Sequence, residues 1–261
     1  MRYRILHESP GRIRLRADVR NMSTQQADLL EAWLQKQPGI QHVTVHERTC
    51  SVTVIYKAER AAVCRNLADF SFEKAGSEVQ PFLHAKMADW GMSHLPKFEV
   101  TQAVDLGCGA GRNAGELLKR FPKAHVTAVD YSELSVEKAV EYNRTAIQAG
   151  RCIVQQGDVS SLDLPAGSFD LATAFETIYF WPGLEKCFVG AVRVLKPGGT
   201  FLICNESDGT DATAKKFEKI IDGMRCYTAE EIETALKAAG FSEANSVHHP
   251  SKPWITVLAR K

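Results

Sequence analysis

The chain has 261 residues, 44% of them hydrophobic and 24% charged, with 32 Lys/Arg against 31 Asp/Glu. That is ordinary globular composition, with room for one large domain or a small one joined to a medium one. The near-zero balance excludes a chain that coats nucleic acid along its whole length. No run of about 18 apolar residues occurs, which excludes a spanning helix, and the first residues lack the apolar stretch of a secretory leader. Seven cysteines without a CxxC spacing read as reduced thiols of a cytoplasmic protein rather than a disulfide framework.

The charge is unevenly placed. Residues 1–74 hold 12 Lys/Arg and 8 Asp/Glu, a balance of +4, and the remainder holds 20 and 23, a balance of −3. Arg2, Arg4, Arg12, Arg14, Arg16 and Arg20 crowd the first twenty residues. Such a cluster is either a face for an acidic partner or the solvated side of a strand, and the solvated strand is the simpler reading. Arg12–Arg16 alternates basic and apolar residues and predicts a half-buried strand. Ser23 and Thr24 offer caps for a helix through Leu29, Leu30, Trp33 and Leu34, stopped by Pro38-Gly39. Ile40–His46 and Ser51–Tyr56 predict two strands, and Ala61–Phe70 a second helix. The resulting β-α-β-β-α order is most of a ferredoxin-like unit, with no fourth strand in view.

Residues 3–70 resemble the divergent heavy-metal-associated domains that precede some metal-transporting P-type ATPases. The resemblance is carried by His7-Glu8-Ser9-Pro10-Gly11-Arg12-Ile13-Arg14 and by Leu34, Pro38-Gly39-Ile40, Val43 and Val45. Metal-binding members of that family hold a CxxC between the first strand and the first helix. Here Ala17–Thr24 contains no cysteine, and Cys50 and Cys64 lie elsewhere. No metal ligand is therefore assigned. The implied role is docking a partner or dimerisation, with metal or metabolite sensing as the alternative.

Residues 75–100 read as a junction or lid. Gly76-Ser77 and Pro81 break regularity, while 87–95 is apolar enough to pack on the following domain. From 101 to 261 short strands and helices alternate. Strands are predicted at Ala103–Leu106, Val126–Asp130, Ile153–Gln156, Phe169–Ala174 and Thr200–Cys204. Helices are predicted at Asn113–Phe121, Ser135–Ala149, Leu184–Leu195, Thr213–Asp222 and Ala229–Ala239. Closing strands near Ser242–Val247 and Trp254–Ala259 place one antiparallel strand at the edge. The pattern predicts an α/β, doubly wound, Rossmann-like sheet of seven strands.

The chemistry-bearing residues sit at strand ends. Gly107, Gly109 and Gly111 follow the first of these strands in a GxGxG pattern, where glycine allows a sharp turn and close approach to a ligand. Asp130 ends the next strand, where an acid can accept from both ribose hydroxyls. Asp158 follows the third strand, and Lys196-Pro197-Gly198-Gly199 reads as a turn before the fifth. Asp105 lies under the loop and is read as bonding its backbone amides. Asp170 is read as structural. Tyr179, Phe180 and Trp181 line an acceptor pocket or join the core. Trp90 and His94 close the cofactor pocket or cap the domain. His248-His249 reads as a turn.

In these residues the region resembles class I S-adenosylmethionine-dependent methyltransferases over roughly 160 residues. The resemblance implies that Asp105, Gly107, Gly109 and Gly111 form the loop under the methionine part of the cofactor. It implies that Asp130 holds the ribose, Tyr131 lies against the adenine, Asp158 accepts from the adenine amino group and Val159 packs on the ring. Glu176 is placed at the transferred methyl or the acceptor, and is the first candidate for a general base, followed by His94 and Tyr179. Asp89-Trp90-Gly91-Met92-Ser93-His94-Leu95 and Phe175-Glu176-Thr177-Ile178-Tyr179-Phe180-Trp181-Pro182 resemble small-molecule methyltransferases of unassigned substrate. The implied reaction is methyl transfer to O, N or C of a small molecule. Glu176-Thr177-Ile178-Tyr179 lacks the prolines of the tetrad common in amino-methylating enzymes of nucleic acids and proteins, which points away from those acceptors. Cys204 and Cys226 raise metalloid methylation as a further alternative.

Overall fold

The computed structural model describes residues 1–19, 22, 24–46, 49–72 and 86–261. Arg20, the cap Ser23, and the breaks at Gly76-Ser77 and Pro81 lie outside the described residues. The chain divides into two compact units, Met1–Lys86 and Met87–Lys261.

The first unit is a four-stranded antiparallel sheet in the order β1-β2-β4-β3, with β1 Tyr3–Ser9, β2 Arg12–Ala17, β3 Ile40–His46 and β4 Ser51–Tyr56. Helices α1 (Thr24–Gln35) and α2 (Arg60–Asp69) supply Leu30, Leu34, Val63 and Leu67 to a core with Ile13, Leu15, Val43, Val52 and Val54. The alternation in β2 is reproduced directly, with Ile13, Leu15 and Ala17 buried and the arginines between them exposed. The unforeseen fourth strand is β1. Its sequence lacks a two-residue period because the pairing slips between Ile5 and His7, so Ile5 and Leu6 both remain partly exposed.

The second unit is a seven-stranded sheet in the order β10-β11-β9-β8-β5-β6-β7. Its strands are β5 Gln102–Leu106, β6 His125–Asp130, β7 Cys152–Gln156, β8 Phe169–Phe175, β9 Leu195–Asn205, β10 Glu243–His248 and β11 Ile255–Arg260. β5 to β9 pair in parallel, and β11 runs antiparallel to both β9 and β10. The antiparallel strand is thus inserted beside the edge rather than forming it; the edge is β10. The central strands are buried on both faces. One face is covered by α7 (Leu184–Val194) and α8 (Ala229–Ala238) through Phe188, Ala191, Ile232 and Leu236. The other is covered by α3 (86–93) and α4 (Arg112–Arg120) through Met87, Met92, Ala114 and Leu117.

Two local readings are corrected. Lys196-Pro197-Gly198-Gly199 lies inside β9 as a bulge, since Phe169 pairs with Leu195 but Leu171 pairs with Thr200. The helix read over Ser135–Ala149 is two helices, α5 (Glu133–Tyr142) and α6 (Arg144–Gln148), broken at Asn143. The Asn143 side chain is buried and donates to the Gly111 carbonyl at 2.9 Å and the Ala139 carbonyl at 3.1 Å. Mid-helix asparagine readily takes such local bonds and interrupts the ladder.

Candidate active site

The glycine loop joins β5 to α4. Gly107, Gly109 and Gly111 have φ of 78°, 52° and 83°, a region that only glycine occupies without strain. A Cβ on Gly107 would lie 2.0 Å from the Thr177 hydroxyl oxygen, and one on Gly111 would lie 2.8 Å from Ala139 Cα. A Cβ on Gly109 would meet no heavy atom within 4 Å beyond its chain neighbours, so that flank of the loop is open to a ligand. The loop is tied down by Gly107 and Cys108 N–H groups, which donate to the Val129 carbonyl at 2.8 and 3.0 Å.

Asp130 sits at the end of β6 and faces the loop. Its carboxylate accepts the Gly109 N–H at 2.8 Å and the Ser132 N–H at 2.9 Å, one on each oxygen. Each oxygen can accept a second hydrogen bond, which leaves capacity for a diol. Tyr131 beside it is 76% exposed. Asp158 caps the short 3₁₀ turn Val159–Ser161 and accepts the Ser160 N–H at 2.7 Å, and that bond holds its carboxyl below the usual range. Val159 is half-buried against the α7 side of the core.

Asp105 does not bond the loop amides. Those go to Val129 and Asp130. Asp105 is paired in register with Thr173 on β8, whose hydroxyl donates to it at 2.7 Å, and its second carboxyl oxygen is buried with no partner. Burial pushes its pKa up to about 7. The sign follows directly: between the ordinary value of 3.8 and about 7 the folded chain binds the proton more tightly than the unfolded one, so stability falls as pH rises through that window. A shift of this size corresponds to at most about 4 kcal/mol. Asp105→Asn is expected to lack that decline and to exceed wild-type stability at pH 8. Urea unfolding of both proteins at pH 5 and pH 8 checks this; identical losses in the two would refute it.

The acceptor-side candidates lie at the carboxyl ends of β8 and β9. Glu176 adopts φ of 57°, costly for a residue with a side chain and characteristic of functional positions. Its carboxyl accepts the Tyr179 hydroxyl at 3.0 Å and the Glu206 N–H. The Tyr179 oxygen in turn accepts the Ser207 N–H at 3.2 Å. Burial, with the nearby Glu206 charge, raises the Glu176 pKa well above the usual carboxylate value, and burial likewise raises Tyr179. Thr177 links this pair to the glycine loop, because it fills the space a side chain at Gly107 would need and accepts the Trp181 indole N–H at 3.2 Å. Trp181 is core, packed on Phe188 and Phe201, while Phe180 is 54% exposed. Asn205, the last residue of β9, is fully buried, and its amide oxygen and nitrogen meet no protein partner.

His94 joins a different cluster. Its ring lies 4.8 Å from Trp90 and its Nδ1 is 2.9 Å from the Trp90 carbonyl oxygen. Trp90 also packs on His249 and Trp254, which places His249 in an aromatic cluster. Cys204 and Cys226 belong to separate apolar clusters, the first against Met87 and the second against Tyr179. Among the described residues no three His, Cys, Asp or Glu side chains converge as a metal site, and no helix is long and apolar enough to cross a membrane.

Sequence reading missed Thr177, Asn143, Glu206 and Asn205. Asn143 carried a signal, as an asparagine in a helical run. Asn205-Glu206 did too, as polar residues where an apolar strand ends.

Residues 104–203 match the family described as a methyltransferase domain. The chain is 32% identical over 157 residues to the sterol 24-C-methyltransferase ERG6B of Gibberella zeae, covering 57% of this chain and 40% of that protein. It is 31% identical over 157 residues to the trans-aconitate 2-methyltransferase of Deinococcus radiodurans, covering 57% and 58%. The crystal structure of an S-adenosylmethionine dependent methyltransferase from Mesorhizobium loti superposes with a TM-score of 0.57 at 21% identity, over 68% of this chain and 100% of that one. The likeness to that structure is one of fold. The chain spans about two fifths of the length of the sterol methyltransferases it matches.

Proposed function

We propose that the second unit transfers a methyl group from S-adenosylmethionine to a small, largely apolar acceptor held between Glu176, Tyr179 and the glycine loop. The cofactor is S-adenosylmethionine, and its sulfonium supplies an already activated methyl. The chain's residues fit it. The open flank at Gly109 would admit the methionine part, Asp130 keeps acceptor capacity for the ribose hydroxyls, and Asp158, Tyr131 and Val159 would hold the adenine. With the methyl already activated, the protein has to orient the reactants and exclude water.

The observation that carries the acceptor assignment is the part-buried Glu176–Tyr179 hydrogen bond at 3.0 Å, on a backbone of positive φ, one residue from the loop's contact Thr177. A buried carboxyl whose pKa is raised suits an apolar or neutral acceptor better than an anion. Once ionised, it takes the proton that an O, N or C nucleophile must lose. The experiment is calorimetric titration with S-adenosylhomocysteine followed by the structure of that complex. We expect one molecule bound per chain with its sulfur facing the Glu176–Tyr179 pair. Absence of binding, or a sulfur turned away from β8, defeats the reading.

A further inference from the structure

The first unit carries a sheet face that the methyltransferase reading does not use. The strand pairing fixes which side chains share it. On β2, Arg12, Arg14 and Arg16 are exposed while Ile13, Leu15 and Ala17 face the helices. Arg4 pairs with Arg16 and His7 with Arg14 across β1 and β2. Arg16, Arg14 and Arg12 pair with Ser51, Thr53 and Ile55 across β2 and β4, and these pair with His46, Thr44 and His42 on β3. Four arginines and three histidines therefore stand on the side of the sheet away from α1 and α2, and all seven are exposed.

Among the described residues, no acid of the four strands shares that face. Glu8 is the only acidic residue in the four strands; it pairs with Ile13, on the helix side, and is engaged by Arg60. Arg4, Arg12, Arg14 and Arg16 make no ion pair among the described residues. Arg2, by contrast, pairs with Asp18. Like charges brought together without counter-charges raise the local positive potential and are neutralised well by a polyanion.

We propose that this open face binds the backbone of single-stranded nucleic acid. Three guanidinium groups stand in line on one strand at a repeat of about 6.8 Å, with Arg4 alongside at about one strand spacing. A straight row suits a linear polyanion better than a diffuse anionic surface. Guanidinium forks bind phosphate oxygens in pairs, and both arginine planes and histidine rings can stack on unpaired bases. A lipid surface fits less well, since partition into it needs an apolar body. Ile55 is the one large apolar side chain that β2, β3 and β4 place on this face, and it is only 37% exposed. The absence of Phe, Tyr or Trp from the face predicts binding without sequence preference. The nucleic acid here is a ligand of the first unit and not the methyl acceptor.

The test uses the full chain and a fluorescein-labelled oligouridylate, followed by anisotropy between 50 and 200 mM salt. Four neutralised phosphates give a slope of log affinity on log salt of about −3, so wild-type affinity falls by about fiftyfold across that range. The triple variant Arg12→Gln, Arg14→Gln, Arg16→Gln is expected to bind weakly, with a slope near −0.7 and a loss of only about two- to threefold. The triple Arg→Lys variant, which keeps the charges, is expected to retain most of the wild-type slope and shows that the unit still folds. Three results overturn the proposal. They are no binding by wild type at 50 mM salt, equal binding by wild type and the Gln variant, and tighter binding to phosphatidylglycerol vesicles or polyglutamate than to the oligonucleotide at the same salt.

Discussion

Glu176→Gln is expected to slow methyl transfer by about 10²–10⁴ while leaving cofactor affinity nearly unchanged, as loss of a general base does. Glutamine keeps an oxygen to accept from Tyr179 and from the Glu206 N–H, so the local fold survives. The glycine loop, Asp130 and Asp158 are untouched. The pH profile separates a base from a scaffold. Burial, with the Glu206 charge nearby, raises the Glu176 pKa well above the usual carboxylate value. The wild-type rate should therefore climb by about tenfold per pH unit until that pKa is reached, and the variant should be flat in pH over the same range. Tyr179→Phe removes one hydrogen bond to the carboxyl and leaves the Ser207 N–H without its acceptor, so its effect should be smaller. The measurement is single-turnover transfer at saturating cofactor. Wild-type rates with a wild-type pH profile in Glu176→Gln would reduce this residue to a structural one.

The second large effect is expected at Asp130. Asp130→Ala removes the acceptor proposed for the ribose and also frees the Gly109 N–H, which it holds at 2.8 Å. A charge-assisted hydrogen-bond pair is worth about 1.5–3 kcal/mol, which is roughly ten- to a hundredfold in affinity. Release of the loop adds to that loss. Asp130→Asn keeps one oxygen and should fall between the two. Titration calorimetry with S-adenosylhomocysteine reads all three proteins, and equal affinity in wild type and Asp130→Ala would remove Asp130 from the site.

The elements that sequence reveals well are those whose local pattern and burial agree. The strand before Gly107 is apolar and ends in glycines of positive φ, so both the strand and the loop were legible. β2 announced itself by alternation. β1 did not, because a bulged edge strand exposes apolar and polar residues alike. The partners of Asp105 were misread for a different reason: a carboxyl beneath a loop has two possible donors, and only the register of β8 on β5 brings Thr173 within 2.7 Å. His94 and Glu176 looked alike as titratable residues near aromatics. Tertiary packing separates them, sending one to Trp90 and the other to Tyr179.

The position of β11 has a consequence for synthesis. β11 pairs with β9 on one side and β10 on the other, so the sheet is whole only when residues 255–260 are in place. β9 ends at Asn205, and about fifty residues separate it from its neighbour. At about 5–20 residues per second the ribosome needs several seconds to supply them. Throughout that interval one side of β9 presents unpaired N–H and C=O groups, a template for association between nascent chains. The first unit draws only on residues preceding 87 and can close long before. Ribosome spacing and chaperone access while residues 206–260 are being supplied therefore bear on yield through the exposed side of β9.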